Sequence, residues 1–121
     1  MAEHNELGKL GEEIALGHLR EKGYLIKETN WRFGKDEIDI IAEKDKFLVI
    51  VEVKTRQSNA FGEPEVFVTT QKQRFLIRAT QVYLERNKID LETRFDVISI
   101  VISGSKRNIK HIEDAFYPTM N

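Results

Sequence analysis

The stretch from Asp36 to Arg56 restricts the fold most. It reads Asp-Glu-Ile-Asp-Ile-Ile-Ala, a polar turn Glu43-Lys44-Asp45-Lys46, then Phe-Leu-Val-Ile-Val-Glu-Val-Lys-Thr-Arg. Two runs rich in Ile and Val around such a turn predict a β-hairpin with buried strands. Into these runs the chain inserts Asp39, Glu52 and Lys54. Side chains alternate along a strand, so Glu52 and Lys54 share a face with Leu48 and Ile50. Asp39 joins them if the hairpin register brings it alongside. Charged groups among Val and Ile cost free energy unless they bind one another or a ligand. That cost marks a candidate site.

The remaining elements supply a frame for the hairpin. Residues 3 to 22 predict an amphipathic helix with Leu7, Leu10, Ile14 and His18 along one side, stopped at Gly23. Glu12 shares a stripe with Gly8, Ala15 and Leu19, where small residues would let the helix approach a sheet. Glu13 shares its stripe with Lys9 and Arg20 and faces solvent. An inward carboxylate on this helix is therefore Glu12. Tyr24 to Phe33 is extended, and Gly34-Lys35 turns the chain into the Asp36 strand. Residues 56–68, with Gly62 and Pro64, form an exposed loop. A second helix starts near Thr69 or Thr70, where Thr70-Gln-Lys-Gln73 resembles a capping box, and runs to about Asn87. It buries Phe75, Ala79, Val82 and Tyr83, leaving Gln71, Arg74, Arg78 and Gln81 on another stripe. Residues 94–103 form a β-branched strand; Gly104-Ser105-Lys106-Arg107 turns into a short last strand, Asn108 to Ile112. The order α-β-β-β-α-β-β predicts an α/β fold with a mixed sheet flanked by helices, its central strands 36–43, 47–55 and 94–103.

At 121 residues the chain has room for a single core and predicts one domain, residues 1–121. It has no membrane-length apolar run and no basic-then-apolar leader, so a cytoplasmic location without membrane contact is expected. With no cysteine, a disulfide framework and a thiolate metal site are excluded. The formal net charge of −1 requires any nucleic-acid binding to come from a local basic patch.

Asp39 and Glu52 offer hard oxygen donors of the kind that hold Mg²⁺ or Mn²⁺ rather than zinc. An ion held so can polarise water for attack on a phosphodiester, and Lys54 can stabilise the charge that grows on phosphate. Glu12 can reach the ion from the helix. Spacing alone leaves a second reading open, in which Lys54 pairs with Glu52 or Asp39 and the cluster is a satisfied ion-pair network. His4, His18 and His111 lack metal-ligand spacing. Trp31 and Phe33 flank Arg32 and Lys35, a tip that could stack on bases, although packing of Trp31 on the first helix is the more ordinary role for an aromatic. Arg56 and Lys72 stand near the site in sequence and either contact phosphates or are solvated surface. Asp96, in an apolar strand, suits a structural hydrogen-bond partner.

A wider set of residues carries a resemblance: Gly8-x-x-Gly11-Glu12-x-x-Ala15, Gly23-Tyr24, Asn30, Glu37-Ile38-Asp39-x-Ile41-Ala42, Val51-Glu52-Val53-Lys54-x-Arg56, Phe61-Gly62, Lys72, Ala79, Tyr83-Leu84 and Arg94-Phe95-Asp96-Val97-Ile98. In these the chain resembles the YraN family of small bacterial proteins, within the PD-(D/E)xK restriction-endonuclease-like superfamily, and is similar in its core to archaeal Holliday-junction resolvases. The resemblance implies a restriction-endonuclease-like core. It also implies that Asp39 and Glu52 are metal ligands, Lys54 the catalytic lysine and Glu12 the helix acidic residue. Asp36 stands where that family usually has glycine, and Ile38 replaces the superfamily's proline. The expected function is a Mg²⁺- or Mn²⁺-dependent nuclease acting on DNA, by analogy branched or flapped DNA, with Arg32, Lys35, Arg56 and Lys72 on the nucleic acid. The alternative is a nucleic-acid-binding module with a weakly active or inactive site, and the blandest reading is a protein-interaction domain. A homodimer is compatible with the sequence.

Overall fold

A computed structural model describes residues 2–58 and 67–118, with side chains from residue 6 onward. The elements are α1 (Ala2–Glu21), β1 (Leu25–Phe33), β2 (Asp36–Lys44), β3 (Phe47–Gln57), α2 (Thr70–Asn87), β4 (Glu92–Ser103) and β5 (Lys106–Phe116). This is the expected α-β-β-β-α-β-β order. Phe61-Gly62, Pro64 and most of the expected loop lie outside the described residues, as does the side chain of His4.

The five strands form one mixed sheet in sequence order. Tight turns at Gly34-Lys35, Asp45-Lys46 and Gly104-Ser105 make three of the four pairings antiparallel. The β3–β4 pair is parallel, because α2 carries the chain back to the other end of the sheet. β3 is the middle strand, and β4 pairs with its whole length, from Phe47↔Glu92 to Gln57↔Ile102. The β2–β3 ladder is shorter, running from Lys44↔Phe47 only to Ile40↔Val51. The β2-facing edge of β3 is therefore open beyond Val51, and that opening positions the site.

A core lies on each face. α1 packs Ala15 and Leu19 against Ile40, Val49, Val51 and Ile98. α2 packs Leu76, Ala79 and Tyr83 against Ile38, Leu48, Ile50 and Val97 on the other face. α1 ends as the sequence indicates: Tyr24 N donates to Leu19 O, Gly23 N donates to Arg20 O, and Gly23 takes a left-handed φ of 89°. The N-cap of α2 is Thr69, whose hydroxyl accepts from Lys72 N at 3.1 Å, one residue before the expected box.

Four local expectations change. The last strand runs to Phe116, beyond the expected Ile112. On α2 the fully buried residues are Leu76, Ala79, Thr80 and Tyr83, while Phe75 and Val82 are half-buried. Trp31 packs on the α2 side, edge-on to Tyr83 at 5.2 Å, rather than on α1. The close approach of α1 to the sheet occurs at Gly11, where an added Cβ would fall on the Thr55 side chain; Gly8 faces open space. A stripe of small residues suggests a contact but does not say which of them meets the sheet.

Candidate functional site

Residues two apart in a regular strand share a face, yet Ile38 belongs to the core under α2 and Ile40 to the core under α1. The pleat of β2 slips by one residue between them. On β1 the same level holds Asn30, between the pairs Thr29↔Ile40 and Trp31↔Ile38, with a left-handed φ of 51°. Asparagine tolerates that conformation better than most residues. The slip turns Asp39 toward the α1 side, where it lines a cavity of about 490 Å³ with Glu12, Asn30, Glu37, Val53 and Thr55.

Three carboxylates converge there. One oxygen each from Glu12, Glu37 and Asp39 lies within 4.8 Å of the others. Asn30 Nδ2 donates to Glu12 Oε2 at 2.8 Å and to Glu37 Oε2 at 3.2 Å, so one amide ties helix and strand carboxylates together. Asp39 Oδ2 accepts the backbone N–H of Val53 at 2.8 Å. This bond takes the place of a ladder bond at the open edge of β3. Gly11, by letting α1 touch Thr55, brings Glu12 down to the same level. Glu13 is exposed, as its stripe indicates.

Glu52 approaches from the other side. Strand alternation puts it with Leu48 and Ile50 on the α2 face, and it is within hydrogen-bonding reach of Asp39. Its Oε1 is buried with no hydrogen-bond partner among the described residues. Burial, then the Glu52 charge, holds the Asp39 carboxyl well above its ordinary value, and Glu12 adds to the rise. Burial also raises Glu52, against the opposing pull of Lys72 and Lys54. Glu12 is raised by burial and by Glu37, against the stabilising amide of Asn30. The centre thus favours a proton, or another cation, over full ionisation.

The basic candidates divide. Lys72 reaches in from α2, donating to Asp36 Oδ1 at 2.9 Å and to Glu37 O at 3.3 Å. Burial alone would lower it, but Asp36, Glu52 and Asp39 together raise its pKa. Asp36, whose burial would raise it, is held below the ordinary value chiefly by the Lys72 hydrogen bond. Lys54 continues β3 beyond Glu52 and shares a shallow recess with Arg56 and Ser99. Arg32 lies 3.6 Å from Glu37 on the exposed edge, and Lys35 lines a separate groove. Two residues of the centre, Glu37 and Asn30, were not among the expected site residues. Glu37, two positions before Asp39, carried the alternation signal that could have found it.

Known proteins resemble this chain along nearly its whole length. Residues 11–100 match the model of the uncharacterised protein family UPF0102. A UPF0102 protein of Flavobacterium psychrophilum is 53% identical over 117 residues, covering 97% of this chain and 98% of that protein. UPF0102 proteins of Phocaeicola vulgatus and Bacteroides thetaiotaomicron are 50% and 48% identical, covering 98% and 99% of this chain and the same shares of their own. The matched span takes in Glu12, Asn30, Glu37, Asp39, Glu52 and Lys54, and the chain belongs to the UPF0102, YraN-like family.

Proposed function

We propose that this chain is a divalent-metal-dependent nuclease that hydrolyses phosphodiester bonds in DNA, with branched or flapped DNA as its candidate substrate. The observation that carries the reading is the meeting of Glu12, Glu37 and Asp39 oxygens beside a buried Glu52 oxygen that has no partner among the described residues. The likeness of this residue set to the PD-(D/E)xK superfamily supports it.

The donor set fits Mg²⁺ or Mn²⁺, since every side chain offered is a carboxylate. Asp39 would hold the ion with Glu12 and Glu37, and Glu52 would close the set through its free oxygen. When bound, such an ion polarises phosphate and acidifies water. The raised pKa of Asp39 means that ion and proton compete for its carboxylate. Asn30 fixes the rotamers of Glu12 and Glu37. Lys54 places a cation where phosphate charge develops, a role that strengthens in the transition state.

The test is cleavage of single-stranded, duplex, flapped and four-way DNA with Mg²⁺ or Mn²⁺, using wild type, Asp39→Asn and Lys54→Ala. Wild type should cut at least one substrate and Asp39→Asn none. Lys54→Ala should keep the metal and lose about a hundredfold or more in rate, as removal of a transition-state donor does. Undiminished cleavage by Asp39→Asn would refute the mechanism. Metal and DNA binding without cleavage of any substrate would replace it with a binding module.

A further inference from the structure

A groove of about 670 Å³ runs between the N-terminal half of α2 and the β1–β2 turn, on the face opposite α1. Phe33 and Phe75 form its apolar wall, and Lys35, Arg74 and Arg78 line it with the Asp36–Lys72 pair. Lys72 also touches Glu37 O, which joins this groove to the carboxylate centre. Among the described residues four cations line it against one carboxylate, in a chain whose formal net charge is −1.

Folding does not account for that charge. Arg74 and Arg78 are exposed and one helical turn apart, a like-charge spacing that weakens a helix. Neither they nor Lys35 make an ion pair among the described residues. The first turn of α2 has no acidic residue, so the positive end of the helix adds to the same field. The wall is built of rings in contact: Phe33 is stacked on Trp31 at 6.2 Å with planes 2° apart and lies 6.3 Å from Phe75, which Lys72 Nζ overlies at 5.0 Å.

We infer that this groove binds single-stranded nucleic acid, with phosphates on Lys35, Arg74 and Arg78 and bases against Phe33 and Phe75. Cations beside aromatic faces recognise a chain of phosphates bearing unstacked bases. A duplex keeps its base faces covered and offers this wall nothing. Delivery of the strand past Lys72 to Glu12, Glu37 and Asp39 rests on the proposed nuclease activity; the binding itself does not.

Binding of a labelled single-stranded oligodeoxynucleotide, followed by fluorescence anisotropy in EDTA, tests the groove without metal or cleavage. Arg74→Glu/Arg78→Glu should weaken binding about tenfold or more. It should also flatten the logarithmic salt dependence by roughly 0.7 for each phosphate that is no longer neutralised. Lys46→Glu/Arg86→Glu, with the same change of net charge elsewhere, should bind nearly as wild type. Phe33→Leu keeps the apolar volume and removes the ring. It should weaken binding about fivefold or more at unchanged salt slope, since stacking carries no charge. Circular dichroism checks that each variant is folded. Equal losses in both charge-reversal pairs, or equal affinity for duplex with Phe33→Leu unaffected, would overturn the inference. So would binding of anionic vesicles with none of the single strand. Single-strand binding lost in Arg74→Glu/Arg78→Glu, while wild type cuts nothing with Mg²⁺, would leave the groove standing and the nuclease reading fallen. Cleavage untouched by that pair, once it has lost the single strand, would overturn delivery of the strand to the carboxylates and leave the groove standing.

Discussion

Two charged clusters sit among the apolar strands of this protein, and they are built on opposite terms. Around Asp96, at 1% exposure, each carboxylate oxygen is paired. Arg94 donates to both, at 3.0 and 2.9 Å; His111 Nε2 lies 2.8 Å from Oδ2, and Asp114 N donates to Oδ1 at 3.2 Å. Tyr24 accepts from Arg94, and His18 meets His111 at 3.1 Å. Burial would raise Asp96, but His111 and Arg94 hold it below its ordinary value. Around Asp39, carboxylates face carboxylates, a buried Glu52 oxygen has no partner among the described residues, and three of the acids are raised. A buried acid is therefore not in itself the sign of a site. What marks the Asp39 centre is that its own neighbours leave it short of positive charge.

The sharpest way to break the contrast is to remove Asp96. Asp96→Ala leaves Arg94, whose side chain is 10% exposed, with only the exposed Glu113 carboxylate at 3.7 Å among the described residues. Breaking such a buried pair costs about 3–5 kcal/mol, a large share of the stability of a small domain. Urea unfolding should show that loss. A change near zero would mean that Glu113, 3.7 Å from Arg94, or water substitutes for Asp96.

The same chemistry at Asp39 should respond in the other direction. Asp39→Asn keeps an acceptor for Val53 N and removes a like charge, so the metal-free variant should match wild type or gain roughly 1 kcal/mol. With Mn²⁺ at about a hundred times its dissociation constant, wild type should gain about 2.7 kcal/mol, and Asp39→Asn little of it. Thermal unfolding with and without Mn²⁺ measures both effects. A destabilised metal-free Asp39→Asn would place the two clusters in one class.

Gly11 separates helix placement from charge. Gly11→Ala gains helix propensity but drives Cβ onto Thr55, and overpacking of this kind costs about 1–3 kcal/mol. Moving α1 outward also withdraws Glu12 from Asp39, so Mn²⁺ affinity should fall more than unfolding suggests. Calorimetric titration of Gly11→Ala beside Gly17→Ala, which meets open space away from the cavity, separates the two.

The parts that could be read in advance are those governed by a single period. β2, β3 and β4 are apolar on both faces because they lie inside the sheet with a helix on each side, and such runs announce themselves. Helical spacing was enough to turn Glu12 inward and Glu13 outward. β5 runs further than its sequence indicates because it is an edge strand whose first half is exposed and carries Lys106, Arg107 and Lys110. The site was harder because it lies where the period fails. Regular alternation would set Asp39 beside Glu52 on the α2 face; the slip between Ile38 and Ile40 instead turns it toward Glu12 and Glu37. The His18–His111 contact joins residues 93 positions apart and leaves no local trace.

The smallest effect is also the most specific, because the two clusters should titrate in opposite senses. Asp39 is raised in the folded protein, so above its ordinary value of 3.8 the native state keeps a proton that the unfolded chain has released. Its contribution to stability therefore falls as pH rises through that window. Asp96 is lowered, so its contribution is complete above 3.8 and is lost as pH falls toward its native value. Unfolding of wild type and Asp39→Asn from about pH 4 to about pH 8 should show the advantage of the variant widening with pH, then levelling. The deficit of Asp96→Ala should shrink below about pH 4, where wild type protonates the same carboxylate. Mn²⁺ binding to wild type should strengthen with pH over the range in which the Asp39 advantage grows, because ion and proton compete for one set of oxygens. A pH-independent difference between wild type and Asp39→Asn would mean that Asp39 is ionised throughout. The centre would then hold its carboxylates apart without a shared proton, and the contrast with Asp96 would rest on geometry alone.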